Sequence, residues 1–274
     1  MGEEFEHKKS LGQHFLNSPV VPGWLVDAAE IVPGEVVVEI GPGTGALTEA
    51  LLNKGAKVIA LEADTRALEI LEEKYATACK DGLLILIHTD VRDFNLSELN
   101  MPSGSFKIVA NIPYYLSGLL FRTCLAGDTK PNTLVFLVQK EVAKRATTDI
   151  SRGEKESLLS LSVKVFGQPK FIKSVSRHHF TPSPKVDSGI IAVRNVTNDN
   201  FKDLNQDHFF ILLHLGFGQK RKQLLGNLAN QYERGELETI FSTLDIPLNI
   251  RAEDLAIDTW IKLANSLSPI SEPS

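Results

Sequence analysis

Val36-Val37-Val38-Glu39-Ile40-Gly41-Pro42-Gly43-Thr44-Gly45 is the stretch that decides the fold. Its first half is a nearly continuous apolar run, as expected of a parallel strand covered on both faces. It leads into a glycine loop, and from Ala46 a helical pattern sets Leu47, Leu51 and Leu52 on one face. Strand, glycine loop, helix is the turn that lets a ligand touch bare backbone at a helix N-terminus. The expectation is an α/β chain with a Rossmann-like sheet. Gly41, Gly43 and Ala46 also satisfy the relaxed nicotinamide-cofactor fingerprint, so a dehydrogenase stays open at this point.

Working outward, Lys57 to Leu61 reads as the second strand and Leu83 to His88 as the third. Glu62, at the end of the second, can accept from two vicinal ribose hydroxyls, and Asp90, in Thr89-Asp90-Val91 after the third, from an adenine amine. Either acid can instead cap the helix that follows it. Glu39 is harder to explain by structure alone. A carboxylate inside an apolar strand is costly unless paired, and a cationic amino group on a ligand pairs it. That favours a methionine-bearing nucleoside over a nicotinamide dinucleotide.

A fourth buried strand, Phe106 to Ala110, runs into Asn111-Ile112-Pro113-Tyr114. Pro113 stiffens the turn, so the seat offers an amide oxygen, a carbonyl and an aromatic face to a planar base. The exocyclic amine of adenine is a poor nucleophile because its lone pair is delocalised. Asn111 Oδ1 and the Ile112 carbonyl can accept its two N–H groups and favour the pyramidal nitrogen, while Tyr114 stacks on the ring. Taken alone, the same residues make an ordinary Asn-Xaa-Pro turn with Tyr114 in the core.

Thr133 to Val138 reads as a fifth strand, Gln139 to Arg145 as a helix start, and Ile190 to Val193 as a last strand closing the sheet. Before the sheet, Val20 to Ile31 reads as a helix ended by Pro33-Gly34. The Lys8 to Asn17 arm clusters Gln13, His14 and Asn17 around Phe15 and Leu16, as an arm folding back over a ligand does. Between Lys140 and Lys185 there are ten Lys or Arg against four Asp or Glu. This run suits a phosphate backbone as well as a solvated helix face. It leads to Phe180-Thr181-Pro182-Ser183-Pro184, where prolines hold an aromatic on a stiff loop, either as core filler or as a stacking partner for an extruded base. After the polar linker Asn195 to Asn200 the spacing becomes helical: His208 to Phe217, Lys222 to Ala229, Leu237 to Leu244 and Asp254 to Leu267, with breaks at Gly235 and Pro247. Gly218 to Gln223 is the basic knot of that part.

The chain has 274 residues and a formal net charge of −5, so any nucleic-acid surface must be local. Cys79 and Cys124 have no ligand-like spacing and fit a reducing compartment. The acidic start and the lack of a long apolar run give the expectation of a cytoplasmic protein without a membrane segment.

Gln13-His14-Phe15-Leu16, Glu39 to Gly45, Asn111-Ile112-Pro113-Tyr114-Tyr115 and Phe180 to Ser188 together resemble the ribosomal RNA adenine dimethyltransferases, most nearly the KsgA type. The resemblance runs from about Lys8 to about Leu267, with the motifs in register. It implies a Rossmann-like class I methyltransferase sheet with a small C-terminal all-helical domain: residues 1–197 as an S-adenosylmethionine-dependent methyltransferase domain and 198–274 as a helical RNA- and ribosome-contacting domain. It implies S-adenosyl-L-methionine as cofactor, held by Gln13, His14, Leu16, Glu39, Gly41, Gly43, Glu62, Asp90, Val91 and Asn111, with no metal. It implies Asn111, Tyr114 and Phe180 as the residues acting on the base. The family more often has Asn where this chain has His14; an imidazole still donates a hydrogen bond, but its protonation adds pH sensitivity.

The implied reaction is in-line methyl transfer to the exocyclic amine of two adjacent adenosines near the 3′ end of small-subunit (16S-type) ribosomal RNA, repeated to dimethyladenosine. The implied setting is ribosome biogenesis, on a pre-ribosomal particle, by a monomer. The alternatives are a large-subunit (23S-type) enzyme of the antibiotic-resistance type, a nicotinamide dehydrogenase, which leaves Asn111 to Tyr114 without a task, and a non-catalytic RNA-binding assembly factor.

Overall fold

The computed structural model describes residues 14–269. In chain order the strands are β1 (Phe15–Leu16), β2 (Val36–Ile40), β3 (Lys57–Glu62), β4 (Leu84–His88), β5 (Phe106–Asn111), β6 (Thr133–Gln139), β7 (Gln168–Val175), β8 (Phe180–Thr181) and β9 (Ser188–Arg194). Seven form one sheet, ordered β4-β3-β2-β5-β6-β9-β7, and β1 pairs separately with β8. From β4 to β6 all pairings are parallel. β9 runs antiparallel to both its neighbours. The first five strands read from the sequence are the parallel ones, and residues 37–40 and 106–110 are buried, as strands covered on both faces should be.

Ile190 to Val193 is the last strand in the chain but does not close the sheet. It lies inside it, because β7 adds an edge the sequence reading missed. The reason is physical: β7 is covered on one side only, with Gln168, Lys170, Lys173 and Ser174 exposed and a register shift between Phe171 and Lys173, so its apolar signal is diluted.

The helices of this part are α1 (Val20–Ala28), α2 (Ala46–Asn53), α3 (Thr65–Lys74), α4 (Ala76–Lys80), α5 (Ser117–Ala126) and α6 (Lys140–Ala146). Val21, Leu25, Leu47, Leu51, Val58, Val135 and Ile190 belong to one core cluster between helices and sheet. Lys107, the one cation in the β5 run, is nearly buried and satisfied by Glu35 at 2.7 Å and the Glu30 carbonyl at 2.9 Å.

The chain divides into two compact units, one comprising residues up to 144 with 168–196, the other 145–167 with 197–274. The second includes a segment that the sequence reading had placed in the methyltransferase domain. That unit contains α7 (Leu158–Lys164), α8 (Gln206–Gly216), α9 (Leu224–Leu228), α10 (Arg234–Thr243) and α11 (Ile257–Ser266). Residues 145–167 are tied into it by polar and aromatic contacts: Glu156 donates its N–H to the Glu253 carbonyl, Lys155 pairs with Asp254, and Phe166 meets Phe201 and Phe210. Gly235, expected as a break, lies in the first turn of α10, which Glu233 caps.

Candidate active site

Parallel pairing in register sets the carboxyl ends of β2, β3, β4 and β5 side by side: Ile40 faces Leu61 and Ala110, and Glu62 faces His88. A cavity of about 330 Å³ opens there. His14, Leu16, Glu39, Gly41, Gly43, Glu62, Asp90, Val91, Asn111, Tyr114 and Phe180 all line it. Gln13 lies outside the described residues.

The glycine loop is built as a ligand seat. Gly41 has φ +67, and a Cβ placed on it would meet nothing within 4 Å, so space stands open against bare backbone. Gly43 has φ +56, and its Cβ would come within 2.9 Å of the Phe15 ring, so the arm packs directly on the loop. Gly43 N–H donates to Glu62 Oε2 at 3.1 Å, while Ala63 and Asp64 N–H donate to Oε1 at 2.9 and 3.0 Å. Glu62 therefore does not cap α3; Asp64 does, accepting from Arg66 N–H. Three donors leave the Glu62 carboxylate room for a ligand hydroxyl.

Glu39 is 1% exposed. Its Oε2 accepts from the Thr48 hydroxyl at 2.7 Å, and its Oε1 has no partner among the described residues. Desolvation pushes its carboxyl up to about 8, against the opposing Thr48 hydrogen bond and helped by the charge of Glu62. A buried acid with an orphaned oxygen beside a cavity suits a cationic ligand group.

Asp90 is arranged differently from the sequence expectation of an open adenine acceptor. Its Oδ1 accepts from Arg92 N–H and Nε, and its Oδ2 from Arg92 Nε and a terminal guanidinium nitrogen at 2.5 Å. These hydrogen bonds hold the Asp90 carboxyl below its usual range. The pair is partly solvent-exposed, 27% at Asp90 and 53% at Arg92, so water screens it and it holds the two side chains together only weakly.

At the end of β5, Asn111 Nδ2 donates to the His14 carbonyl at 3.2 Å, which turns Oδ1 away from that bond. The Ile112 N–H donates to Leu137. No donor among the described residues reaches Asn111 Oδ1 or the Ile112 carbonyl, so both acceptors of the seat remain available. Tyr114 is anchored by its hydroxyl to Ser188 Oγ at 2.8 Å, and Ser188 is fully buried at the start of β9. The arm that supplies His14 is stapled down: Phe15 and Leu16 pair with Thr181 and Phe180, and His14 Nδ1 donates to the Pro182 carbonyl at 2.7 Å. The His14 ring lies 5.6 Å from that of Tyr114. Phe180 is 3% exposed and belongs to the core cluster, so it fills the core as well as lining the cavity.

Three groups here were not found by sequence reasoning. Thr48 and Ser188 act only through contacts across the fold, with no local signal. Arg92 had one, the Asp-Xaa-Arg spacing that closes a guanidinium onto the carboxylate two residues before it. The basic run divides: Arg145, Arg152, Lys155 and Lys164 fall in the helical unit, where Lys164 pairs with Glu156 and Arg152 with Asp149. Lys140, Lys144, Arg177, His178 and Lys185 stay with the sheet and line a second groove, with Glu141 and Asp187 as its acids.

A family model for ribosomal RNA adenine dimethylase matches residues 4–268. A Dehalococcoides mccartyi protein, ribosomal RNA small subunit methyltransferase A, is 35% identical over 264 residues, covering 96% of this chain and 89% of its own. The Bacillus pumilus protein of the same name is 34% identical, covering 96% and 92%. Among solved structures, a dimethyladenosine transferase from Plasmodium falciparum superposes with a TM-score of 0.75 at 26% identity, covering 91% of this chain and 96% of that one. The 23S rRNA methyltransferase ErmE gives 0.69 at 23% identity, covering 92% and 99%, a likeness of fold alone. With the family model matched over residues 4–268 and relatives at 34–35% identity covered nearly end to end, the chain belongs to the ribosomal RNA adenine dimethylase family.

Proposed function

We propose that the protein dimethylates the exocyclic amines of two adjacent adenosines in small-subunit (16S-type) ribosomal RNA, with S-adenosylmethionine as methyl donor. The observation that carries this reading is the Asn111 seat: two unengaged acceptors, Asn111 Oδ1 and the Ile112 carbonyl, beside an anchored tyrosine in the glycine-loop cavity. A dehydrogenase has no use for it.

The residues present fit the donor. Glu39 supplies the missing partner for a cationic amino group, the space over Gly41 admits a ligand against backbone, and Glu62 keeps an acceptor for a ribose hydroxyl. Asp90 and Val91 take the adenine end, with Arg92 giving way, and His14 and Leu16 on the arm cover the ligand. Bound S-adenosylmethionine supplies a methyl group on a sulfonium, already activated for transfer. The chain's own contribution is position and dipoles. Asn111 Oδ1 and the Ile112 carbonyl accept the target amine's two N–H groups and turn its lone pair outward. Tyr114, fixed by Ser188, and Phe180 hold the extruded base by stacking, which recovers part of the unstacking cost of a few kcal/mol. The proton leaves to water once the nitrogen is cationic, so no strong base is needed.

The same reading places the protein in the cytoplasm, acting as a monomer on a partly assembled small subunit. Among the described residues no helix is long and apolar enough to cross a membrane. The basic groove around Lys140, Lys144 and Arg177 and the exposed Gly218 to Gln223 knot are its phosphate-contacting surfaces. The test is transfer of labelled methyl groups to unmethylated small-subunit particles and to large-subunit RNA. Dimethyladenosine in the small-subunit particle is the expected product. Label in large-subunit RNA instead would assign the chain to the resistance type, and tight particle binding without label would leave an assembly factor.

A further inference from the structure

The turn that follows Tyr114 carries the next residue outward. Tyr115 lines the rim of the cavity, yet it is 60% exposed, more than any other large hydrophobic side chain among the described residues. The 3-10 turn Tyr114–Leu116 runs straight into α5, so Tyr115, Leu119 and Arg122, spaced i, i+4 and i+7, share one face. Leu119 is also an exposed hydrophobic residue, and Arg122 is exposed with no ion pair among the described residues. Arg92, paired with Asp90, lines the same cavity as Tyr115.

The mouth of the cavity thus presents an exposed aromatic ring with Arg92 in the same lining, and the helix face that continues from the ring carries Leu119 and Arg122. A single exposed apolar residue needs no explanation. An exposed aromatic at a cavity mouth, with one arginine in the cavity lining and another on the same helix face, has the composition of a single-strand nucleic-acid platform, with ring for base and guanidinium for phosphate. Its location adds to this. Once a target base enters the seat, the covalent backbone holds the neighbouring nucleotide at the mouth, where Tyr115 stands.

We propose that Tyr115 is the stacking platform for the nucleotide adjacent to the target adenosine, with Arg122 and Arg92 beside its phosphates. The inference rests on the RNA methyltransferase reading above and extends it. In a substrate with two adjacent adenosines, the rim nucleotide is the second one, so Tyr115 holds the strand in register while the first is modified.

The test uses the full-length protein and small-subunit particles reconstituted with 2-aminopurine next to the target adenosine. For Tyr115→Ala, the apparent KM for particles rises by about five- to a hundredfold, the flanking 2-aminopurine loses its quenching on binding, and the donor Kd stays within twofold. Tyr115→Phe keeps the quenching and the KM, because stacking needs the ring and not the hydroxyl. Wild-type values for Tyr115→Ala in both readouts overturn the proposal. So does a parallel loss of donor binding, which would place Tyr115 in the donor pocket, or a defect confined to particles and unrelated to 2-aminopurine, which would assign the rim to a ribosomal protein. A wild-type protein that methylates no RNA would instead remove the parent reading.

Discussion

Replacing Glu39 by Gln tests the link between burial, charge and ligand choice. The Glu39 carboxyl titrates near 8 in the folded protein against an ordinary value of 4.5. The folded state therefore binds more protons than the unfolded chain between those values, and stability falls as pH rises through that window. Below about 4.5 both states are protonated and the acid costs nothing; above about 8 the cost is complete. A gap of 3.5 units (8 − 4.5) corresponds to an upper limit of about 5 kcal/mol at 1.36 kcal/mol per unit. Glu39→Gln keeps an acceptor for the Thr48 hydroxyl and removes the ionisation. Its amide adds an unsatisfied donor worth about 1–3 kcal/mol at every pH, so the slope is diagnostic and the absolute stability is not. Urea unfolding between pH 5 and 8.5 should show wild-type stability declining by several kcal/mol relative to the variant, with the two curves converging or crossing at high pH. Calorimetry adds a second reading. At pH 7 the acid is about nine-tenths protonated, so pairing it with a cationic donor should release close to one proton in the wild type and none in the variant. The variant should bind S-adenosylmethionine at least about tenfold more weakly. Parallel pH curves for the two proteins, or donor binding without proton release in the wild type, would refute the reasoning.

Gly41→Ala should lower unfolding stability by only about 1–2 kcal/mol, the cost of a Cβ at positive φ, because the added methyl meets no protein atom. It should weaken donor binding far more, and a thermal shift with and without S-adenosylmethionine separates the two effects. Arg92→Ala removes the competitor for the Asp90 carboxylate with little effect on stability, because the pair is exposed to water. Donor affinity measured by calorimetry should then improve by up to about fivefold; a loss of affinity would mean that Arg92 itself holds the ligand. Ser188→Ala should cost about 1 kcal/mol for the lost hydrogen bond to Tyr114. It should raise the particle KM with little change in donor Kd, seen by steady-state kinetics.

What the sequence made legible is what chain neighbours encode. The run from Val36 through Gly45 and the one from Phe106 through Tyr114 each combine a doubly covered strand with its turn, and each occupies the place expected of it. The four strand ends lie side by side as expected, because parallel pairing lines them up without further information. The unread parts depend on distant contacts. β7 carries lysines on its open side and gives no continuous apolar signal. Residues 145–167 fall inside the expected 1–197 domain because no linker sets them off in the sequence, and only contacts such as those of Glu156 and Phe166 assign them to the helical unit. Asp90 looked like an open acceptor because its spacing to Arg92 was not weighed, and the Tyr114 to Ser188 bond joins residues 74 apart.

The most direct test of the seat is the single-turnover rate of methyl transfer to small-subunit particles by Asn111→Ala, with donor and particle affinities measured alongside. Removing one of two polar groups that act on the reacting amine should slow transfer by about 10²–10³, with both affinities changed by less than about tenfold. A rate within threefold of the wild type at saturating donor and particle would contradict the assignment of amine activation to Asn111.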